Sequence, residues 1–363
     1  MRKIGRSLGT WPQPGRSWGF PSTVWRRRAP GFRHGGVRRA VPLLLSNGHL
    51  GQGFVLDAEE GERLLAMDPR HAEVINPLLS GKDIAQRHRV RYIIDFALRT
   101  EAEARTYPVL YEIVLQRVKP ERDANKRESR RRTWWLFGEP GQALRSALSS
   151  VQGERVIATS EAAEHRLFRW APKATVLDAG ITVVVSDVAW LLGSMNSNIH
   201  LTWAERTGPR LGVVARYKGT LCFDPFPFPV PPRTDIDSAL ALGDIDQSLH
   251  SALSRVGDLA NAIEAHRDDV LRRTTKLTLT QVYNVLRAVR TGRDLTPEER
   301  EISVVGAVST LKALHDDLDV ATEEAYGWRP AGLSLAERPL LGEEEIIARL
   351  AELNRSRSDP PKV

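Results

Sequence analysis

A single cysteine, Cys222, stands in 363 residues. This excludes an internal disulfide and points to a reducing compartment, so a cytoplasmic location is expected. No apolar run approaches the roughly 18 residues that cross a bilayer, which excludes a membrane span. Acidic side chains are missing altogether from residues 1–56, which carry ten Arg or Lys. The tools of common catalysts are missing as well. One Cys and nine scattered His give no zinc-type spacing. There is no Gly-x-x-x-x-Gly-Lys and no Gly-x-Gly-x-x-Gly to cradle a phosphate or a dinucleotide. No lysine has an acidic residue two positions before it, so the Glu-x-Lys end of a common metal-dependent nuclease pattern is absent. Asn76-Pro77-Leu78 and Asp224-Pro225-Phe226 lack the second proline of the Asn/Asp-Pro-Pro-aromatic loop with which amino-methyltransferases hold a base, and both read as turns. Ser194, His165 and Asp187 make a triad only on paper, because nothing local joins them. No catalytic residue, metal ligand or cofactor-binding residue is therefore assigned to this chain.

What is present is positive charge, unevenly laid. The net charge of +7 averages a first section, 1–56, with ten basic side chains and no acid; 57–85 with 3 basic and 7 acidic; 86–220 with 22 and 14; and 221–363 with 17 and 24. A basic middle beside an acidic carboxyl-terminal third separates a binding face from a scaffold. The densest stretch, Arg117 to Arg132, holds eight basic residues against three acidic ones and runs into Trp134 and Trp135. Cations beside aromatic planes suit a polyanion that carries flat bases, which makes nucleic acid the first partner to test.

The length fits two domains plus a tail, at roughly 150 residues per domain. Residues 1–46, rich in Arg, Gly, Pro and Trp, show no period and are expected not to fold alone. A transit peptide, a nucleic-acid-binding tail and an out-of-frame start all fit them, whereas Val41-Pro-Leu-Leu-Leu45 is too short for a signal peptide. The spacing then predicts helices over Ala58–Met67, over Glu101–Val118 and again from Pro120, where Arg122, Lys126 and Arg130 would share one face. Strands are expected at Val90–Phe96, Trp134–Phe137, Arg155–Thr159, Leu167–Trp170, Ile181–Ser186 and Thr220–Phe223. Prolines at 225, 227, 229, 231 and 232 remove backbone donors and mark a domain boundary. Helical spacing returns over Asp235–Thr274, Thr280–Arg290, Glu298–Tyr326 and 342–354, with Thr296-Pro297-Glu298-Glu299 as a helix start. The expected architecture is an α+β domain at 47–232, an α-helical domain at 233–356 and a polar tail at 357–363.

Phosphate contacts are expected at Lys119, Arg122, Lys126, Arg130, Arg131 and Arg132, since neutralising the backbone supplies most nucleic-acid affinity. Base-reading or groove contacts are expected among Arg166, Arg169, Arg210, Arg216, Tyr217 and Lys218. A solvated helix face is the alternative for residues 130–132, an ordinary edge strand for 165–170 and a solvated turn for 216–218. Trp134 and Trp135 cannot both face one side of a strand, so one belongs to the core. His200 and Trp203, on the helical pattern from Ser194 to Glu205, read as packing residues.

Several phrases together resemble a known family. Tyr92-Ile-Ile-Asp-Phe96, Tyr107-Pro108, Val118-Lys-Pro-Glu-Arg122, Trp134-Trp-Leu-Phe-Gly138, Glu164-His-Arg-Leu-Phe168, Ser197-Asn-Ile-His-Leu-Thr-Trp203 and Thr220-Leu-Cys-Phe-Asp-Pro-Phe-Pro-Phe-Pro229 follow the order seen in MmeI-like fused DNA methyltransferases. Leu277-Thr-Leu-Thr-Gln-Val-Tyr-Asn284, Leu314-His315, Leu318-Asp319, Ala325-Tyr-Gly-Trp328 and Leu353-Asn354 resemble the same family's helical carboxyl-terminal segment. The resemblance covers about 47–356. It implies a target-recognition domain that reads double-stranded DNA, in a restriction-modification or phage-defence system, while a separate domain binds S-adenosylmethionine and methylates adenine N6. It also implies a chain truncated or split from that domain, inactive alone, with no cofactor of its own; one alternative is a subunit of an active methyltransferase whose catalytic chain is encoded separately. A decayed remnant that binds nucleic acid loosely is the other alternative. One departure stands out, in that a basic residue is expected where Glu164 stands.

Overall fold

The computed structural model of the protein describes residues 44–46, 51–86, 90–139, 141–212 and 214–358. The expected tail at 1–46 lies outside them except for its last three residues, as does most of the tail at 357–363. Strands and helices mix up to the proline-rich segment and only helices follow it among the described residues, the α+β then α order read from the sequence.

In chain order the first part holds β1 (Leu44–Ser46), β2 (Val55–Leu56), α1 (Ala58–Met67), β3 (Ile75–Leu79), β4 (Tyr92–Ile94), α2 (Glu101–Ala104), α3 (Pro108–Arg117), α4 (Lys119–Asp123), α5 (Glu128–Arg132) and α6 (Gln142–Ser149). It continues with β5 (Arg155–Ser160), β6 (Arg169–Pro172), β7 (Val176–Leu177), β8 (Ile181–Val184), α7 (Ala189–Asn196), α8 (Asn198–Thr207), β9 (Arg210–Leu211) and β10 (Val214–Ala215). The second part is α9 (Ile236–Ala241), α10 (Gln247–Arg273), α11 (Leu279–Arg290), α12 (Pro297–Val305), α13 (Val308–Ala325) and α14 (Glu343–Ser358).

One four-stranded sheet, β1-β8-β5-β6, is antiparallel, with Ile157 opposite Val184 and Ala158 opposite Val183. All four residues of β8 are buried, so both of its faces are covered. The other sheet, β2-β4-β3-β7, is antiparallel except where β3 meets β7. Phe54, Leu64, Ile93, Leu110 and Trp134 form the core beneath this second sheet. The first sheet shares a larger core, through Ile157, Trp203 and Phe226, with Leu253, Val282 and Leu350 of the helices.

That larger core does not divide at residue 232. Phe226, Phe228 and Val230 are buried in it. The prolines leave carbonyls without a strand partner, and helical side chains take them: Asn354 Nδ2 donates to Pro225 O at 2.9 Å, Tyr326 Oη to Pro227 O at 2.9 Å and Arg357 Nη1 to Phe228 O at 2.7 Å. The segment changes secondary-structure class along the chain without opening a gap in packing.

Several expected elements differ for identifiable reasons. The helix over 101–118 is two, because Pro108 starts α3 after a non-helical Tyr107. The helix from Pro120 breaks after Asp123 and restarts at Glu128, which removes the shared face of Arg122, Lys126 and Arg130. The long helix over 298–326 breaks at Ala307, whose φ of 43° is left-handed, and the one over 235–274 breaks between α9 and α10. Residues 134–137 form a turn closed by Leu136 N to Thr133 O rather than a strand. Gly219–Phe223 is a wide helical turn in place of the strand expected at 220–223. Strand β6 starts only at Arg169, because the Asn196 amide takes Phe168 N at 3.3 Å and Phe168 O at 2.9 Å, where a neighbouring strand would pair.

The packing residues expected at His200 and Trp203 are both buried. Among the rings of Phe168, Tyr217 and Phe226, with its Nε2 2.9 Å from Tyr217 Oη, His200 is pushed by burial and then by the Arg166 cation down to about 3 from 6.5. A depressed folded-state pKa means the unfolded chain takes up a proton first. The stability this neutral ring contributes is present above pH 6.5 and is lost as pH falls toward 3. Burial raises Asp319 to about 7, which gives the opposite slope: the folded carboxyl keeps its proton and its contribution is lost as pH rises from about 4 to 7. Comparing wild type with His200→Gln cancels the Asp319 effect. The stability difference between them should move against wild type by roughly 2 kcal/mol from pH 7 to pH 5. Parallel urea midpoints across that range would refute the assignment.

Candidate nucleic-acid interface

The basic run forms an arm of two short helices joined by a tight turn. Asn125 Oδ1 accepts from Arg127 N at 3.0 Å, and Arg131 Nη1 donates to Asn125 O at 2.6 Å, which ties α5 to the turn. Lys126, Arg131 and Arg132 are exposed, as is Arg127, which the sequence reasoning left off its contact set. Lys119 pairs with Asp123 at 2.6 Å and keeps a part-exposed ammonium. Arg122, expected as a phosphate contact, is turned inward and only 4% exposed. Arg130 is mostly covered and faces Glu139 at 3.7 Å. Trp134 packs edge-on against Tyr111, and Trp135 Nε1 donates to Arg99 O at 3.0 Å, so these rings brace the arm.

A cleft of about 630 Å³ opens where the loop after β3 meets the β5–β6 loop, lined by Lys82, Arg91, Glu161, Glu164, His165 and Arg216 among others. The two loops approach closely: a methyl group on Gly81 would lie 2.9 Å from Ser160 Oγ. Lys82, Arg91 and Gln86 carry no pattern that singles them out in sequence, and only the fold brings them to this wall.

Glu161 organises the opposite wall. Its carboxylate accepts from Arg216 Nε at 3.1 Å and pairs with Lys218 Nζ. Burial pushes its pKa up, but the hydrogen bonds from Lys218 and Arg216 outweigh this and hold it below the usual carboxylate range. The β5–β6 loop is clamped here as well, because Tyr217 N donates to Glu161 O at 2.8 Å.

Three expected contacts are structural instead. The guanidinium of Arg166 turns back to the carbonyls of Ser160 and Ala215 and lies over the Tyr217 ring. The Tyr217 ring is 1% exposed and its hydroxyl meets His200. Arg169 pairs with Glu264 at 3.3 Å and with Asp268, neutralised by the helical part. Arg216 keeps partial exposure at the cleft, Lys218 is part-exposed beside it through Glu161, and Arg210 is exposed on β9. Glu164 pairs with Arg287 of α11 at 3.1 Å. The paper triad has no support: Ser194 is buried, and His165 Nε2 meets Asn284 Oδ1 at 2.7 Å. Among the described residues no group of three or more His, Cys, Asp or Glu is placed to hold a metal, and no helix is long and apolar enough to cross a membrane.

The class so defined is an α+β module with a cationic arm and a charged cleft, backed by a helical extension. The chain belongs to the family of the MmeI target recognition domain, whose model matches residues 45–230. Among solved structures it is similar to one described as the Type IIL restriction-modification enzyme MmeI in complex with DNA, at 16% identity and a TM-score of 0.60, covering 88% of this chain and 36% of that one. The chain thus spans little more than a third of that protein's length, and at this identity the likeness speaks for the fold. No curated protein matches the chain.

Proposed function

We propose that the chain reads a short sequence in double-stranded DNA for a restriction-modification methyltransferase that modifies adenine N6. The observation that carries this reading is the match to a target recognition domain over 45–230, a segment that contains the exposed arm and every cleft-lining residue but Thr280. Lys126, Arg127, Arg131 and Arg132 would take phosphates, while Arg216, Lys218 and the cleft-lining Lys82 and Arg91 would meet base edges. A cation on a duplex fixes position, whereas hydrogen bonds to groove edges supply sequence.

Methyl transfer belongs to another part of the system in this reading. An adenine amino group must leave the base stack to be reached, so one domain holds the flanking base pairs while another, which binds S-adenosylmethionine, acts on the extruded base. A catalytic chain encoded separately would supply that domain, acting on DNA in the cytoplasm as part of phage defence.

Selection from random duplexes at moderate salt should enrich a defined motif. A loose binder would retain DNA and enrich none, which would overturn the reading. The purified chain alone should transfer no methyl group from S-adenosylmethionine to the selected duplex, and unaided transfer would contradict the division of labour.

A further inference from the structure

Buried arginines in this chain are normally well supplied with acceptors. Arg267 reaches Glu264, Phe168 O, Asn196 Oδ1 and Tyr283 Oη, and Arg329 reaches Glu323 at 2.8 Å and Pro339 O at 2.9 Å. Arg122 is the exception. It is somewhat less enclosed than these, at 4% exposure, yet among the described residues its guanidinium has no hydrogen-bond acceptor and no ion-pair partner. A second cation stands beside it. Arg130 Nε is buried without an acceptor, and the counter-charge of Arg130 is Glu139, 3.7 Å away with a largely exposed side chain.

Both guanidiniums converge on Gly138, where a methyl group would lie 3.0 Å from Arg122 Nη1 and 3.1 Å from Arg130 Nε. On its other side Arg122 Nη2 abuts Gly51. Two enclosed cations side by side, with donors unused, are costly for a fold to keep. Burial followed by the neighbouring Arg130 lowers the Arg122 pKa, with Glu121 opposing them. An incoming anion would relieve this cost. The exposed Lys126, Arg127, Arg131 and Arg132 on the same arm favour a polyanion over an isolated ion.

We propose that Arg122 and Arg130, meeting at Gly138, form an anion-binding site that takes one phosphodiester group of a nucleic acid backbone. The source of the phosphate rests on the DNA-recognition reading; the anion site itself does not. Occupied, the site would fix the register of the arm on the duplex, and the outer arginines would add affinity without sequence preference.

The test uses the full chain in a buffer free of phosphate and sulfate. Titration with inorganic phosphate should raise the wild-type Tm by about 3 °C, because a ligand that binds only the folded state stabilises it. The rise should vanish in Arg122→Met and in Arg130→Gln, the latter a change near the surface that the fold should tolerate. Without phosphate, Arg122→Met should be at least as stable as wild type, since an uncompensated cation has been removed. Both variants should bind every duplex roughly tenfold more weakly, with a shallower salt dependence. A phosphate-dependent rise that persists in both variants, or Arg122→Met melting well below wild type in the anion-free buffer, would overturn the site. If phosphate stabilises only wild type but no duplex binds, the anion site stands and the DNA reading fails. If duplexes bind wild type and both variants alike, the site fails and the DNA reading stands.

Discussion

Replacing Arg267 by alanine should cost about 3–5 kcal/mol of folding stability, read as a large fall in the urea midpoint followed by tryptophan fluorescence. Arg267 lies on α10 and is 1% exposed. Its Nη1 donates to Glu264 Oε1 at 2.7 Å and to Phe168 O at 3.0 Å, its Nη2 to Asn196 Oδ1 at 3.1 Å and its Nε to Tyr283 Oη at 2.8 Å. One side chain thus joins the segment before β6, the end of α7 and the start of α11, which makes it the tie between the α+β part and the helices. Alanine would leave a buried carboxylate with only Arg169 and Trp170 N, and would take the donor from three further buried acceptors. Arg267→Lys should fall between the two, because an ammonium keeps the charge but cannot span four acceptors in the plane of a guanidinium. A loss below 1 kcal/mol for Arg267→Ala would show that this network does not hold the helices to the sheet.

The same network explains which parts of the fold are legible in the chain. Helix α1 is readable end to end, from the Asp57 cap that accepts from Glu60 N to the Asp68-Pro69 stop, and α12 follows from Thr296 and Glu299, which satisfy each other's backbone donors. The elements that resist reading share one cause, a side chain distant in sequence taking the place of a local partner. Phe168 would extend β6 if Asn196 did not hold its backbone, and carbonyls of the proline-rich segment are met by Tyr326 just after α13 and by Asn354 and Arg357 of α14. The phrases that resemble the family fall largely on this framework: Ser197 caps α8, His200 and Trp203 are buried, Tyr283 Oη meets His315 at 2.7 Å, and Asp319 accepts from Asn198 N at 2.6 Å. They specify the scaffold, and for that reason they say little about which cations meet DNA.

Charge counting has a similar boundary. It finds the arm, because Lys126, Arg131 and Arg132 are exposed where the run is densest. It cannot see that Arg122 turns inward, since a dense cationic run has no apolar period to mark its inner face. Nor can it see neutralisation from afar: the partners of Arg169 are Glu264 and Asp268 on α10, and that of Arg216 is Glu161 just after β5.

In the proposed DNA-reading role these differences would separate two kinds of contact, and opposite outcomes are expected from substituting them. The double change Arg131→Glu with Arg132→Glu should lower affinity for every duplex by roughly a hundredfold at low salt and reduce the salt slope by about 2, because two phosphate contacts become two repulsions. Both side chains are exposed on α5, so the stability cost should be limited to the lost Arg131 bond to Asn125 O, about 1 kcal/mol. Arg216→Ala should weaken binding to the selected motif alone, by roughly ten- to a hundredfold, and relax preference at one position. Before it can reach a base, Arg216 must leave Glu161, and that ion pair sets a threshold that non-specific DNA does not repay. Glu161→Gln should therefore tighten binding to random duplexes while narrowing the gap between motif and non-motif DNA. The two arginine substitutions are compared on one duplex set, across a salt series, after the motif has been selected. If Arg216→Ala weakens all sequences equally, the cleft grips backbone and carries no base readout. If the reversal on α5 leaves affinity and salt slope unchanged, the arm is a solvated surface, and the cations that hold the duplex lie elsewhere on the chain.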